Sequence, residues 1–328
     1  MIYDGERQDI RMPAQAASTT ELGYGITAID TDYVRPLLDA SHLLIDEGRA
    51  AYVDTGTNHS VDLLLDALQR KNVDVAQVDY VFLTHVHLDH AGGAGELIER
   101  LPNAVAVLHP RGAPHMIDPD RLIQGSQAVY GKELYTKMYG DLRPIPASRI
   151  RVVGDAEELT LGGRSLQCIF TEGHARHHYC LADPVSRGVF TGDSFGISYR
   201  ELDTAAGEFI FPTTTPVHFD PPEAHKAIDR IMSLSPARLY LTHYSQVDDL
   251  PRLAADMHRR IDAFVSIATR HAEERERTAA MQNSLFSYLK GELELHGYEA
   301  DDDRLHAILD VDVQLNTMGL EYWLDHHR

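Results

Sequence analysis

The sequence predicts an α/β protein, a four-layer sandwich of two facing sheets with helices on the outside, followed by a C-terminal helical extension. Three observations carry that expectation. Short β-type runs alternate with helical patterns in two successive β-rich halves, a helix-like insert at about 111–147 stands between them, and every apolar pattern from Leu250 onward is helical in period. With 328 residues and 36.7 kDa, the chain has room for one large domain and an extension. The expected division is 1–250 and 251–328.

Gly25 to Asp30, His42 to Asp46 and Ala50 to Asp54 read as strands, the last two joined by the turn dipeptide Glu47-Gly48. Val61 to Lys71 carries Val61, Leu64, Leu65 and Leu68 at helical spacing, with Asn58 to Ser60 available as a cap. Val78 to Thr84 is an apolar strand, Gly95 to Leu101 a helix and Val105 to His109 a strand, a βαβ rhythm that lays helices over one sheet face. Arg111 to Pro146 is helix-like, rich in Tyr and Met and closed by two prolines, the character of a lid or pocket wall. Strands resume at Arg149 to Val153, Ser165 to Thr171, His178 to Ala182 and Gly188 to Thr191. Glu223 to Met232 is a helix, Arg238 to Thr242 a strand, and Leu250 to His271, Arg275 to His296 and Asp303 to Leu324 are helices.

Fifty acidic residues against 30 basic ones give a net charge of −20 and a pI near 5.3. Such a surface repels phosphate backbones and anionic lipid, and the densest basic stretch, Met257 to Arg260 with Arg270 beyond it, is interleaved with acids. Neither nucleic acid nor membrane is an expected partner. No apolar run approaches the roughly 18–20 residues that span a bilayer. The opening Met1 to Arg7 lacks a basic stretch followed by an apolar one, so the expected address is cytoplasmic. Cys168 and Cys180 are too few for a disulfide framework and sit among apolar residues, as buried free thiols do.

The sharpest chemical feature is Thr84-His85-Val86-His87-Leu88-Asp89-His90-Ala91-Gly92-Gly93, between an apolar strand and a helix. Three imidazoles and a carboxylate within six positions bring nitrogen and oxygen metal ligands to one strand end. Alternation turns His85 and His87 to one side, and Asp89 and His90, neighbours on a tight loop, face a second position. Gly92 and Gly93 allow close approach and unusual dihedrals. Metal ions need further donors, and His174, Asp193 and His243 each stand just past a β-type run, where a strand end delivers a side chain to a shared rim.

With these motifs the sequence resembles the metallo-β-lactamase-fold hydrolase superfamily over about residues 20–250. The resemblance rests on the 84–93 motif, Gly-His at 173–174, Thr-Gly-Asp-Ser at 191–194, Leu-Thr-His at 241–243 and Val-Asp-Thr-Gly at 53–56. It implies an αβ/βα sandwich with two metal ions at the sheet edge. By that resemblance His85, His87 and His174 hold the first metal, Asp89, His90 and His243 the second, and Asp193 bridges them. Asp54 would accept a hydrogen bond from a ligand histidine and fix its tautomer; within Asp-Thr-Gly-Thr-Asn it reads equally well as a turn or cap aspartate. Two divalent ions sharing a water lower its pKa toward neutrality. Asp89 is then the expected catalytic group, orienting that water and passing a proton to the leaving group.

Flavodiiron-type oxygen reductases usually carry Glu where this chain has His87, which favours hydrolysis over redox chemistry. Nuclease branches carry a basic surface that is missing here. What remains resembles glyoxalase II and the acyl-homoserine lactonases, which implies cleavage of a small-molecule ester, thioester or lactone. Their usual Gly-His-Thr-Pro-Gly-His is here Gly173-His174-Ala175-Arg176-His177-His178, so ligand His174 is kept and its neighbouring contacts are not expected to be. By similarity to the lactonases Tyr199 is a candidate donor to a developing oxyanion; by itself it reads as a half-buried loop aromatic. The extension resembles that of glyoxalase II without its Arg and Lys pattern, and suits a pocket wall or a homodimer face. Arg111, Arg121 and Arg176 are candidate partners for a substrate carboxylate, each with an ordinary surface reading beside it. Zinc is the first choice of metal, and iron and manganese fit the same donors. A ligand-binding or regulatory protein with weak hydrolase activity, and a di-iron redox enzyme, are the alternative functions.

Overall fold

The computed structural model describes residues 16–214 and 217–327; the opening segment Met1 to Arg7, read above for leader character, lies outside the described residues. One sheet has seven strands in chain order: β1 (Thr19–Gly23), β2 (Ile26–Asp30), β3 (Ala40–Asp46), β4 (Arg49–Val53), β5 (Val78–Phe82), β6 (Val105–Leu108) and β7 (Ile150–Val152). The other has six: β8 (Glu158–Leu161), β9 (Arg164–Phe170), β10 (Tyr179–Asp183), β11 (Gly188–Gly192), β12 (Arg238–Leu241) and β13 (Ser245–Val247), again in chain order. The first sheet opens as an antiparallel meander and turns parallel from β4 to β7, where α1 (Val61–Arg70), α2 (Leu88–Ala91) and α3 (Ala94–Arg100) supply crossovers. Three helices, α4 (Ala113–Ile117), α5 (Asp120–Tyr130) and α6 (Lys132–Tyr139), form the insert, α7 (Pro221–Ser233) joins the parallel pair β11 and β12, and α8 (Leu250–His271), α9 (Arg277–Leu295) and α10 (Asp302–His327) follow.

Alternation along the strands builds the layers. Leu43, Tyr52 and Val81 face Leu64, Leu68 and Leu97 of α1 and α3, whereas Leu44, Val53, Phe82 and Val107 face the second sheet. Tyr179, Leu181, Phe190 and Tyr240 fill that interior from the other side, and their neighbours Cys180, Val189, Leu239 and Leu241 face α7 and α8. The αβ/βα sandwich predicted from the sequence is the fold observed.

Three strands were not expected. β1 is polar and largely exposed, β8 is a four-residue edge and β13 has three residues, so none carries a usable hydrophobic period. Asn58 to Ser60, expected to cap α1, form a 3-10 turn of their own, capped by the Thr57 hydroxyl. Cys168 and Cys180 are buried free thiols. Part of the basic stretch in α8 is internal: Arg260 is 2% exposed, bonds Glu292 of α9 at 3.1 Å and lies 4.0 Å over the Phe209 ring. Among the described residues no helix is long and apolar enough to cross a membrane.

Phe190 is buried between the sheets and stacks on Tyr240 at 4.6 Å. Phe190→Ala is expected to remove about 3–5 kcal/mol of stability, seen as a lower urea midpoint at unchanged m-value; a midpoint that stays put would contradict this packing.

Candidate metal centre

Five of the seven candidate donors stand just past a strand's C-terminal end. β5 runs into His85 and His87, β9 leads to His174, β11 to Asp193 and β12 to His243. The sequence reading places Asp89 and His90 on a tight loop; the chain closes them instead into α2, with the amides of His90 and Ala91 donating to the His87 carbonyl at 3.1 and 2.8 Å. Successive helical residues point about 100° apart, so Asp89 and His90 approach one point from different directions. Gly92 and Gly93 have ordinary helical dihedrals, and only the close approach expected of them is observed: a Cβ on Gly93 would stand 2.7 Å from the Thr57 carbonyl oxygen.

The structure brings all seven candidate donors together. His85, His87, His174 and Asp193 form one group and Asp89, His90 and His243 another, the ligand atoms of each lying within 4.8 Å of one another. In the first, His87 Nδ1 is 2.9 Å from His85 Nε2 and 3.0 Å from His174 Nε2. In the second, Asp89 Oδ2 is 3.6 Å from His243 Nε2 and 3.9 Å from His90 Nε2. Asp193 joins them, with Oδ2 3.5 Å from His174 Nε2 and Oδ1 3.2 Å from His90 Nε2.

The far nitrogens assign the tautomers. His174 Nδ1 donates to the Thr213 carbonyl at 3.2 Å, His243 Nδ1 to the Leu38 carbonyl at 2.9 Å and His90 Nδ1 to Asp54 Oδ2 at 2.8 Å. Because a carbonyl or carboxylate only accepts, each Nδ1 keeps its proton and Nε2 is the atom that would face a metal, after loss of its own proton where the imidazole is charged. Two atoms test the fit directly: His90 Nε2 and Asp193 Oδ1 are buried without an aligned hydrogen-bond partner, which is costly unless a cation occupies the space between them. The donor set suits divalent ions with mixed nitrogen and oxygen ligation.

The two groups differ electrostatically. Burial, reinforced by neighbouring imidazoles, lowers His85 far below its ordinary range and His87 to about 3, and burial lowers His174 as well, so the imidazoles of the first group are uncharged at pH 7. Burial also disfavours charge on His243, but Asp193, Asp89 and Asp39 outweigh it and hold His243 at about 9. His90 is raised in the same way by Asp193, Asp89 and Asp54, and Asp89, despite burial, is held at about 2 chiefly by His90 and His243.

Asp54 carries more than the turn that its sequence context suggests. Fully buried, with φ +58°, its carboxylate accepts from the Thr84 amide (2.8 Å), the Thr84 and Thr242 hydroxyls (each 2.8 Å) and His90 Nδ1. The two threonines were missed by sequence reasoning, as was His178. Contrary to expectation, the contacts after His174 are not all lost: His178 Nε2 accepts the Asp193 amide at 3.2 Å while its Nδ1 lies 3.0 Å from the Thr171 and Ser194 hydroxyls. Its position as the last histidine of Gly-His-x-x-x-His was the available signal.

Tyr199 is a correction. It is buried, Arg35 covers its ring at 4.6 Å, and its hydroxyl donates to Asp312 of α10 at 3.1 Å, so that hydroxyl is already engaged within the protein. The adjacent Ser198 amide donates to the His243 carbonyl at 2.6 Å. A second α10 residue, Asn316, accepts the Thr214 amide at 2.6 Å, next to the Thr213 carbonyl that orients His174. The extension therefore braces both groups. Of the three candidate arginines, Arg111 pairs with Glu172 at 3.2 Å, and Arg121 and Arg176 are exposed.

A family model described as the metallo-beta-lactamase superfamily matches residues 35–243. The chain belongs to the metallo-beta-lactamase superfamily. Within that superfamily, a metallo-beta-lactamase fold-containing protein of Sulfurisphaera tokodaii is 29% identical over 188 residues, 56% of this chain and 64% of that protein. The lactamase-like protein adaB of Aspergillus niger is 23% identical over 202 residues, 61% and 47% of the two chains. An atrochrysone carboxyl ACP thioesterase of Aspergillus fumigatus is 25% identical over 118 residues, 36% and 28%. The chain thus spans less than two-thirds of the length of these curated relatives. Among solved structures, an archaeal superfamily protein from Sulfolobus tokodaii superposes with TM-score 0.62 at 22% identity, covering 94% of this chain and 99% of that one. A metallo-beta-lactamase family protein from Thermus thermophilus gives TM-score 0.66 at 19% identity, covering 93% and 95%. These two likenesses are of fold.

Two outcomes follow from this geometry. Metal binding by the Asp89 group displaces histidine protons at pH 7, so its affinity falls about tenfold per pH unit per displaced proton below pH 9, while the first group, whose imidazoles are already uncharged, changes little down to pH 6. Calorimetric zinc titrations in buffers of different ionisation heat read this directly, and equal proton release at both sites contradicts it. Asn316→Ala is expected to weaken the His174 site by about tenfold with circular dichroism unchanged; an unaltered zinc isotherm contradicts the bracing.

Proposed function

We propose that the chain is a binuclear-metal-dependent hydrolase that cleaves a small-molecule ester, thioester or lactone. The observation that carries this is Asp193, one carboxylate shared between two histidine groups, which makes a single site of two cation positions. Two divalent ions held there, zinc first and iron or manganese by the same donors, would supply Lewis acidity and a water ionised near neutral pH.

The protein's own groups supply direction. His87 and Asp89 are the half-buried members of the two groups and mark the mouth, whereas His85, His90, His174, Asp193 and His243 are buried. Asp89 turns Oδ2 toward His90 and His243, which leaves Oδ1 for a reactant. That oxygen accepts the attacking water's proton and returns it to the leaving oxygen or sulfur. Similarity to a named thioesterase supports an acyl substrate. The net charge of −20 supports a small molecule over a nucleic acid.

Asp89→Ala is expected to lower turnover by about a thousandfold with the fold retained; full activity would remove its role. After reconstitution with zinc, manganese or iron, wild-type protein is expected to turn over at least one of a thioester, a lactone and a carboxylester, and silence on all three overturns the hydrolase reading.

A further inference from the structure

The mouth has two unlike walls. Beside His87 stand imidazoles: the His177 ring lies 5.9 Å from that of His87 and 6.0 Å from that of His218. Beside Asp89 stand phenols. Tyr33, in the segment between β2 and β3, donates to the Tyr139 hydroxyl on α6 at 3.0 Å, and the Tyr130 ring at the end of α5 is 5.8 Å from that of Tyr139. These rings pack with Leu88, the residue before Asp89, and with Leu122 and Ile123 of α5. Burial raises all three phenols, Tyr130 to about 12, and the Asp89 carboxylate adds to each, which places the cluster within that carboxylate's field.

The covering of α5 is incomplete. A surface helix ordinarily buries its apolar stripe, and α1, of similar length, buries Val61, Leu64, Ala67 and Leu68. α5 offers Leu122, Ile123, Val129 and Tyr130 and buries none of them fully. Its half-covered side, continuous with the phenols and beside the candidate catalytic carboxylate, has the composition of a ligand pocket.

We propose that this wall receives the leaving arm of the substrate and that the arm is uncharged, apolar and ring-bearing, an aryl-substituted alcohol or thiol. The inference rests on the hydrolase reading of the same site. The leaving arm is assigned because Asp89, the group that returns the proton, is the wall's neighbour. A ring is assigned because phenol faces and edges with aliphatic side chains between them favour aromatic contact. An anionic arm is disfavoured because the Asp89 carboxylate acts on all three phenols and would repel it.

The test uses the metal-reconstituted full chain with methyl and benzyl esters of one acid, alcohols of closely matched acidity. The benzyl ester is expected to show a KM roughly tenfold lower, and Tyr130→Ala and Ile123→Ser should each bring the benzyl-to-methyl ratio of kcat/KM toward one. Loss of folded protein cancels in that ratio. Binding of the monobenzyl and monomethyl esters of methylphosphonate, followed by calorimetry, is read separately. Equal affinity of these two ligands overturns the wall, as does a preference for a trimethylammonioethyl ester over its neutral carbon isostere. Turnover of neither carboxylester, with the benzyl phosphonate still preferred and that preference lost in Tyr130→Ala, overturns the hydrolase reading and leaves the wall as a ring-binding surface.

Discussion

A carboxylate sealed from solvent is costly unless every lone pair finds a donor, and Asp54 meets that demand with groups from both halves of the sandwich. Thr84 follows β5 of the first sheet and Thr242 follows β12 of the second. Both hydroxyls reach the same side chain only when the sheets are in register at this end, and the Ala40 amide on the Thr242 carbonyl (2.8 Å) and the Tyr179 amide on the Thr84 carbonyl (2.9 Å) tie the same seam. His90 completes the set, so the contact that registers the sheets also aims one of the candidate ligands. The remaining six donors sit where they do because these strand ends are held together.

The two donor groups differ in the charge on their imidazoles. Three imidazoles converge in the first with one shared carboxylate, and exclusion of water keeps them uncharged, ready to accept a cation without losing protons. In the second, two imidazolium ions and the Asp89 and Asp193 carboxylates balance each other until a metal replaces the protons. Asp39, with one oxygen on Thr31 at 2.7 Å and the other unpartnered, is pushed up to about 7 by burial and so adds only part of a negative charge to that balance near neutral pH.

What was legible in the sequence was whatever depends on local pattern. The long helices, the central strands and the 84–93 motif announce themselves through period and spacing, and His174, Asp193 and His243 could be found because strand ends are where such sandwiches place chemistry. Thr84 and Thr242 could not be weighted in the same way, since a threonine gains meaning only from the buried acceptor that folding brings to it, whereas His178 had a motif position as its signal. Tyr199 shows the converse. Similarity to the lactonases suggested its hydroxyl as an oxyanion donor, and an aspartate 113 positions away accepts that hydroxyl's hydrogen bond. The edge strands β1, β8 and β13 escaped because edges and short strands impose little hydrophobic order.

The bracing by α10 has a temporal consequence. Asp312 and Asn316 lie some seventy residues beyond the last candidate ligand, His243, and are synthesised after all seven donors. Without α10 the seven donors would all be present, but the Tyr199–Asp312 and Thr214–Asn316 hydrogen bonds beside His243 and His174 would not. The donors and the contacts that steady the backbone beside them are thus supplied by separate stretches of the chain, the donors first.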